Sequence, residues 1–217
     1  MKVKYPIVPE KTAMIVVDMQ NDFVREGAGI EVPNARAIVP DLDRLLKVCR
    51  AHTIPVIYIH HVIRGGNIDA GRLADHHELI RDSKALIAGT DNVEIYEAIK
   101  PEADDLLVAK PRYSAFYGTD LEAILRSKGI DTLIVSGTVT NVCCESTVRD
   151  AFSRDYKVIF LADGNATFDW PDVGFGSVSA AEAQRVSLTV MAMCFAQVSS
   201  VSEVIAEVKK LPAKAHA

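Results

Sequence analysis

Six short apolar runs, separated by longer segments of helical periodicity, restrict the possible folds of this chain more than any other feature. The first run, AMIVVDM, is continuously apolar up to its aspartate, which is typical of a strand buried on both faces of a parallel sheet. After it, Ile38, Leu42, Leu45 and Cys49 recur at the spacing of one helical face. We therefore predict six strands, at residues 13–19, 55–61, 105–110, 132–137, 156–163 and 194–201.

Strand and helix alternate along the whole sequence, so successive strands are expected to run parallel through right-handed crossovers. The pattern predicts an α/β chain with a three-layer, Rossmann-like fold, in which helices flank a central, mostly parallel six-stranded sheet. No repeat or linker divides the sequence, so we expect a single domain over residues 1–217 with its core at about 10–205. Two long polar stretches are predicted to be mainly loops: 62–92, with one short helix, and 165–177. Trp170 in the second is expected to act as a lid or to contact a neighbouring subunit.

Charge and composition exclude several classes of partner. The formal net charge is −5 and no block of lysine or arginine stands out, so nucleic acid is not an expected partner. No apolar window approaches the length of a membrane span, so no membrane association is expected. Four scattered cysteines are expected to be reduced thiols. The sequence therefore predicts a cytoplasmic protein with a small-molecule ligand.

Three chemically reactive side chains stand at the predicted ends of strands: Asp18 closes the first, Lys110 closes the third and Cys143 follows the fourth. The ligand crevice of an open parallel sheet lies beyond the carboxyl ends of its strands. An aspartate can accept a thiol proton, an ammonium can stabilise the thiolate, and a helix amino end adds free amide donors. Each residue alone has an ordinary structural explanation, but their joint placement favours a cysteine hydrolase with a thiolate nucleophile.

Helical phase separates the two adjacent cysteines of the segment TNVCCEST. Cys144, Val148 and Phe152 follow one apolar stripe, so Cys144 is predicted to face the core as an inert hydrophobe. Cys143 shares its face with Thr147, and that face can look into the crevice. Cys143 is therefore the predicted nucleophile.

The segments MIVVDMQNDF, AKPRYSAFYGTDL and SGTVTNVCCESTVRDAF, in this order, resemble the isochorismatase-like cysteine hydrolase superfamily. The resemblance implies Asp18 as base, Lys110 as orienting cation and Cys143 as nucleophile. It further implies a cis peptide bond between Thr138 and Val139, and an oxyanion hole formed by the backbone amides of Val139 and Cys143. No cofactor is implied, and the resemblance suggests a homodimer or homotetramer.

Differences between this sequence and the motifs of two branches of the superfamily indicate which branch it resembles. The cysteine argues against isochorismatases proper, which lack it, and the Asp-x-His metal motif of nicotinamidases is missing. His60 and His61 are adjacent on a strand and should face opposite ways, so shared metal ligation is disfavoured and no metal is expected; a structural or substrate-contacting role is the preferred interpretation.

The sequence most resembles the ureido branch, which includes ureidoacrylate amidohydrolase, N-carbamoylsarcosine amidohydrolase and the biuret and triuret hydrolases. We expect hydrolysis of a ureido or N-carbamoyl C–N bond through an acyl-enzyme. Gln20, Asn141 and Tyr113 are candidates for hydrogen bonds to the substrate. Phe23 and Phe116 are candidates for the aromatic walls of its pocket. Arg64 or Arg112 is the candidate partner of a substrate carboxylate.

Three alternatives remain open. The enzyme could act on another simple amide, in the manner of a nicotinamidase. The adjacent cysteines could form a redox or sensor site, although their spacing differs from Cys-x-x-Cys and Lys110 and Asp18 would have no role. The chain could also be a non-catalytic binding module, which the complete set of aspartate, lysine and cysteine disfavours.

Overall fold

The computed structural model describes residues 4–212 and contains one six-stranded sheet. Every pair of neighbouring strands is parallel, and the strand order across the sheet is β3-β2-β1-β4-β5-β6. The predicted α/β fold with a central parallel sheet is thus confirmed. The strands are β1 (Thr12–Val17), β2 (Val56–His61), β3 (Leu106–Lys110), β4 (Thr132–Thr138), β5 (Lys157–Ala166) and β6 (Gln197–Ser199).

Helices connect the strands and cover both faces of the sheet. The α-helices are α1 (Asn21–Val24), α2 (Ala35–Ala51), α3 (Leu73–His76), α4 (Glu78–Arg81), α5 (Leu121–Ser127), α6 (Glu145–Phe152), α7 (Ala180–Cys194) and α8 (Val201–Val208). Short 3₁₀ helices span Pro9–Lys11, Gly65–Asn67, Asp91–Val93 and Glu97–Ile99, and one π-helical turn spans Thr140–Cys144. In the part of the chain that the structure describes, no helix is both long and apolar enough to cross a membrane.

Alternate side chains of β1 enter two different cores. Met14 and Val16 pack with Leu42 of α2 and Val204 of α8 on one face of the sheet. Ile15 packs with helices α5, α6 and α7 on the other face. Because side chains alternate along a strand and both faces are covered, every residue of β1 is buried. This explains why the first apolar run is continuous.

Three elements differ from the predicted pattern. The sixth strand is shorter than predicted because Cys194 ends α7 and the Ser200 side chain caps the amino end of α8. Helix α7 has no counterpart in the prediction, and its apolar residues Val186 and Met193 are exposed, so a single apolar stripe does not mark it. The stretch 62–92 contains α3 and α4 as well as loops.

Residue Gly137 allows the two central strands to approach closely. It pairs with Val17 of β1, has φ of +133°, and a Cβ atom built on it would lie 2.0 Å from the Val17 carbonyl oxygen. An L side chain there combines an unfavourable backbone conformation with a collision against buried backbone. Only glycine fits this position, which lies where β1 and β4 end at the same crevice.

We expect Gly137→Ala to lower the free energy of unfolding by about 3 kcal/mol or more, from backbone strain together with displacement of β1. Urea unfolding followed by circular dichroism would measure the change. Gly129→Ala is the matched control, because Gly129 also has a positive φ, +67°, but has open space around a Cβ. That control should lose only about 1–2 kcal/mol. Equal losses in the two variants would contradict the role of close approach.

Candidate active site

Asp18, Lys110 and Cys143 meet at the carboxyl ends of the strands. The Lys110 Nζ lies 2.8 Å from Asp18 Oδ2 and 3.4 Å from Cys143 Sγ. Asp18 follows β1 and Cys143 follows β4, the two strands between which the chain order reverses. This is the switch point at which open α/β sheets bind ligands. The structure therefore brings the three predicted strand-end residues into one buried cluster.

The Asp18 backbone is fixed in an uncommon conformation. Its φ is +51°, in the left-handed region that aspartate tolerates better than most residues. Its N–H donates to the Ile59 carbonyl at 2.8 Å, and the Thr138 hydroxyl donates to its carbonyl at 3.0 Å. Burial raises the pKa of the Asp18 carboxyl, and the neighbouring Lys110 ammonium opposes that rise. Both flanking strands thus hold the Asp18 backbone in this conformation.

The Lys110 ammonium is fully enclosed and has a polar partner for each of its three hydrogens. Besides Asp18 and Cys143, its Nζ donates to the Arg112 carbonyl at 3.0 Å. Burial alone would lower the pKa of Lys110, but its interactions with Asp18 and then with Cys143 outweigh that effect and raise the pKa. The lysine is therefore charged and fully occupied by protein groups.

Cys143 lies on the π-helical turn that precedes α6, after a cis peptide bond between Thr138 and Val139. Burial, and then the negative charge of Asp18, raise the pKa of the Cys143 thiol, while Lys110 opposes them. The direction of this shift runs against the expected thiolate and favours the neutral thiol of Cys143. Cys144 packs in the core and does not line the cavity beside Cys143, as its helical phase predicts.

A cavity of about 500 Å³ opens beside Cys143. Apolar side chains dominate its surface, and we call them the apolar wall: Phe23, Ile30, Ile80, Leu86, Val139, Val142, Phe168 and Trp170. Polar lining groups are few: Glu31, His61, His77, Tyr113 and Cys143. The dimensions and the lining suit a small organic molecule.

Only some of the residues predicted to bind substrate reach this cavity. Phe23 and Tyr113 line it. The Gln20 amide instead bridges to the backbone of His61, donating at 3.0 Å and accepting at 2.7 Å. The Asn141 side chain accepts a hydrogen bond from Thr167. Neither Gln20 nor Asn141 lines the cavity, and both make hydrogen bonds to other protein groups.

The remaining predicted residues also lie outside the cavity lining. Phe116 packs in the core on the α5–α7 face of the sheet, near Tyr156. The Arg64 guanidinium pairs with the Asp69 carboxylate at 3.2 Å and is mostly exposed. The Arg112 guanidinium donates to the carbonyls of Asp69 and Pro111. Both guanidinium groups thus have partners within the protein, and neither arginine lines the cavity.

Several lining residues were not predicted. Ile80, Leu86 and His77 come from the stretch 62–92, and Phe168 comes from the loop after β5. His77 bonds the Tyr113 hydroxyl at 3.0 Å, and the Phe168 ring stacks on Trp170 at a centroid distance of 4.3 Å. No periodic pattern marks these residues, since they lie in loops or in the single-turn helix α4. The feature of the sequence that could have identified them is their aromatic or apolar character within otherwise polar loops.

His60 and His61 face opposite ways, as predicted. The His60 ring bonds the Val93 carbonyl at 3.1 Å, whereas His61 is 2% exposed and lines the cavity. Ligand atoms of Asp18, His61 and Cys143 lie within 4.8 Å of one another, a donor set that zinc can accept. The charged Lys110 between Asp18 and Cys143 would repel a cation in that space. These residues therefore do not fit a resident metal ion.

The chain is similar to known proteins both in sequence and in fold. The Isochorismatase domain model matches residues 12–203. The chain is 34% identical over 174 residues to the ureidoacrylate amidohydrolase RutB of Serratia proteamaculans (strain 568), covering 71% of this chain and 69% of that protein. It is 36% identical to the protein of the same name from Yersinia enterocolitica, covering 70% and 74%.

Solved structures agree with the sequence comparison. A cysteine hydrolase from Pseudomonas syringae pv. phaseolicola 1448A superposes with a TM-score of 0.94 at 45% identity, covering 97% of this chain and 98% of the other. The N-carbamoylsarcosine amidase of Thermoplasma acidophilum superposes with a TM-score of 0.70 at 26% identity, covering 88% and 96%.

Proposed function

This chain belongs to the isochorismatase domain family, and we propose from that premise that it is a cysteine-dependent amidohydrolase of a small ureido compound. It is a hydrolase of C–N bonds, as relatives with ureidoacrylate or N-carbamoylsarcosine in their names indicate. The observation that carries the proposal is the buried contact of Lys110 with both Asp18 and Cys143, beside a cavity of suitable size.

In the proposed reaction, Cys143 Sγ attacks the ureido carbonyl while Asp18 accepts the thiol proton. Lys110 balances the charge as the proton moves, and the backbone amides of Val139 and Cys143 are proposed to donate to the oxyanion. Asp18 then returns the proton to the departing amine, which leaves a carbamoyl thioester on Cys143. Water attacks this thioester, releases carbamate and restores the thiol.

The pH dependence should report the carboxyl of Asp18. Only the ionised carboxylate can accept the thiol proton, and burial raises the pKa of this group above its ordinary value of 3.8. We therefore expect kcat/KM to fall with decreasing pH through a midpoint above 3.8. Steady-state rates would be measured across the acid range, with circular dichroism at each pH to show that the chain is still folded. A midpoint at or below 3.8 in folded protein would contradict Asp18 as base.

Trp170 should contribute to substrate binding. Its ring lines the cavity, and one aromatic contact with a ligand contributes roughly 0.5–1.5 kcal/mol. We expect Trp170→Ala to raise KM by about three- to tenfold. Phe175→Ala is the matched control, because Phe175 is 95% exposed in the same loop. An unchanged KM together with an unchanged gel-filtration profile in Trp170→Ala would exclude both the lid and the subunit-contact hypotheses.

Ammonia release would test the proposed function. The panel is biuret, triuret, ureidoacrylate, N-carbamoyl amino acids and nicotinamide, with Cys143→Ala as the control enzyme. Turnover of a ureido compound that requires Cys143 would support the proposal. Turnover of nicotinamide alone would favour a simple-amide hydrolase, and absence of any turnover that depends on the cysteine would favour a binding module.

A further inference from the structure

We infer that the substrate is an electrically neutral ureido compound that carries an apolar substituent, and that His61 accepts a hydrogen bond from one of its N–H groups. The inference rests on the proposed function, since it takes the ureido carbonyl to lie at Cys143. It separates this chain from hydrolases of ureido acids and of very small polar substrates such as biuret. Three features of the cavity carry it.

The first feature is the apolar wall. A cavity of about 500 Å³ is far larger than biuret, which is polar at both ends. Apolar surface that binds no apolar group remains exposed to water and contributes nothing to affinity. The stacked rings of Phe168 and Trp170, with Ile80 and Leu86, instead provide contacts for an alkyl or aryl substituent.

The second feature is the charge around the cavity. No lysine or arginine is among its lining residues, and the lining groups that could carry positive charge are histidines. Burial lowers the pKa of both His61 and His77, so both rings are neutral near pH 7. Glu31 does line the cavity, and hydrogen bonds from the Gly27 N–H and Arg36 lower its pKa and keep it ionised. The one lining carboxylate is thus compensated by Arg36, and no lining residue offers an unpaired positive charge to a ligand.

The cations near the site are already engaged. The Lys110 ammonium has partners for all three hydrogens and no exposed surface. The Arg112 guanidinium donates to backbone carbonyls, and that of Arg64 pairs with Asp69. A substrate carboxylate placed against the apolar wall would lose its hydration without gaining a partner, which is strongly unfavourable.

The third feature is the His61 ring. Its backbone is fixed by the Gln20 amide, and its ring bonds the Pro111 carbonyl. The Nε2 atom is buried and has no hydrogen-bond partner, so the bond to Pro111 comes from Nδ1–H. The neutral ring then presents Nε2 as an acceptor. A ring nitrogen lies within 4.8 Å of Cys143 Sγ, which is within reach of the N–H groups of a ureido carbonyl attacked by that sulfur.

Matched pairs of compounds would test the inference. Phenylurea is compared with 4-ureidobenzoate, and butylurea with 3-ureidopropionate, in binding to the Cys143→Ala variant by calorimetry and in turnover by the unaltered chain. We expect each neutral compound to bind at least about tenfold more tightly than its acid, because the acid buries an unpaired charge. Equal or tighter binding of the acids would overturn the inference.

This design separates the inference from the proposed function. Neutral ureas that bind to the Cys143→Ala variant but are not hydrolysed by the unaltered chain would contradict the proposed reaction and support the cavity preference. Hydrolysis of the acids in preference to the neutral ureas would support the reaction and overturn the inference. No detectable binding of either neutral urea would also overturn it.

Variants within the cavity provide a second test. Ile30→Arg places a cation on a partly exposed part of the wall and should shift the preference toward the acids by about tenfold or more. His61→Leu should weaken binding of both neutral ureas, and His61→Gln, which restores an acceptor, should recover part of it. A loss of acid binding in Arg64→Ala would instead identify that arginine as a carboxylate partner and overturn the inference.

Discussion

Cys143→Ala is expected to lower kcat by on the order of 10⁴-fold or more while the chain remains folded. The sulfur is the only nucleophile of the buried cluster that also lines the cavity. Without it, Asp18 has no thiol proton to accept and no covalent intermediate forms. Ammonia release on a substrate found in the ureido panel would measure the loss, and thermal unfolding would confirm the fold.

Cys144→Ala is the matched control for this prediction. Its side chain is fully buried one residue away but points into the core, and burial raises the pKa of its thiol well above the ordinary value. We expect a loss of about 1 kcal/mol in stability and nearly unchanged kcat. If the two variants lost activity to the same degree, the assignment of the nucleophile to Cys143 would be untenable.

Asp18→Asn is expected to abolish turnover and to destabilise the fold by about 3–5 kcal/mol. The substitution removes the base and also leaves the Lys110 ammonium without its carboxylate partner in a site with no exposed surface. Unfolding by urea at neutral pH would measure the change. Stability close to that of the unaltered chain would contradict a charged Lys110 in the folded state.

The double variant Asp18→Asn/Lys110→Met separates the two effects. Replacing the unpaired ammonium by an apolar side chain of similar length should recover much of the lost stability, because the buried charge is gone. Turnover should stay abolished, since the base and the cation are both missing. Recovery of stability without recovery of activity would assign the first loss to desolvation and the second to chemistry.

The sequence was sufficient to predict the sheet and the buried cluster, for related reasons. A strand covered on both faces must be apolar throughout, so β1 can be predicted from its own sequence without knowledge of its neighbours. Parallel strands end at one edge, so reactive residues at strand ends must lie near one another. Asp18, Lys110 and Cys143 follow from that rule, and helical phase distinguishes Cys143 from Cys144.

The cavity was less predictable because its walls come from segments without periodicity. Ile80 and Leu86 reach it from an irregular stretch between β2 and β3. The sequence also does not show which side-chain amides already have hydrogen-bond partners in the folded chain. The Gln20 amide, for example, is hydrogen-bonded to the His61 backbone. Long-range partners of this kind depend on the assembled fold. The same reason explains why Arg64 and Arg112 were candidates for a substrate carboxylate that their contacts do not favour.

The position of Lys110 in the sheet makes the site dependent on the alignment of an edge strand. Within residues 4–212, β3 pairs with β2 alone, and β2 separates it from β1, so the lysine must extend across a whole strand to reach Asp18. Only a side chain with a long stem can do so. A slip of β3 by one residue against β2, where Lys110 pairs with His61, would withdraw the ammonium by about 3.3 Å and turn it to the opposite face of the sheet. Mutations that loosen this outermost strand could therefore silence the enzyme while leaving every reacting residue in the chain.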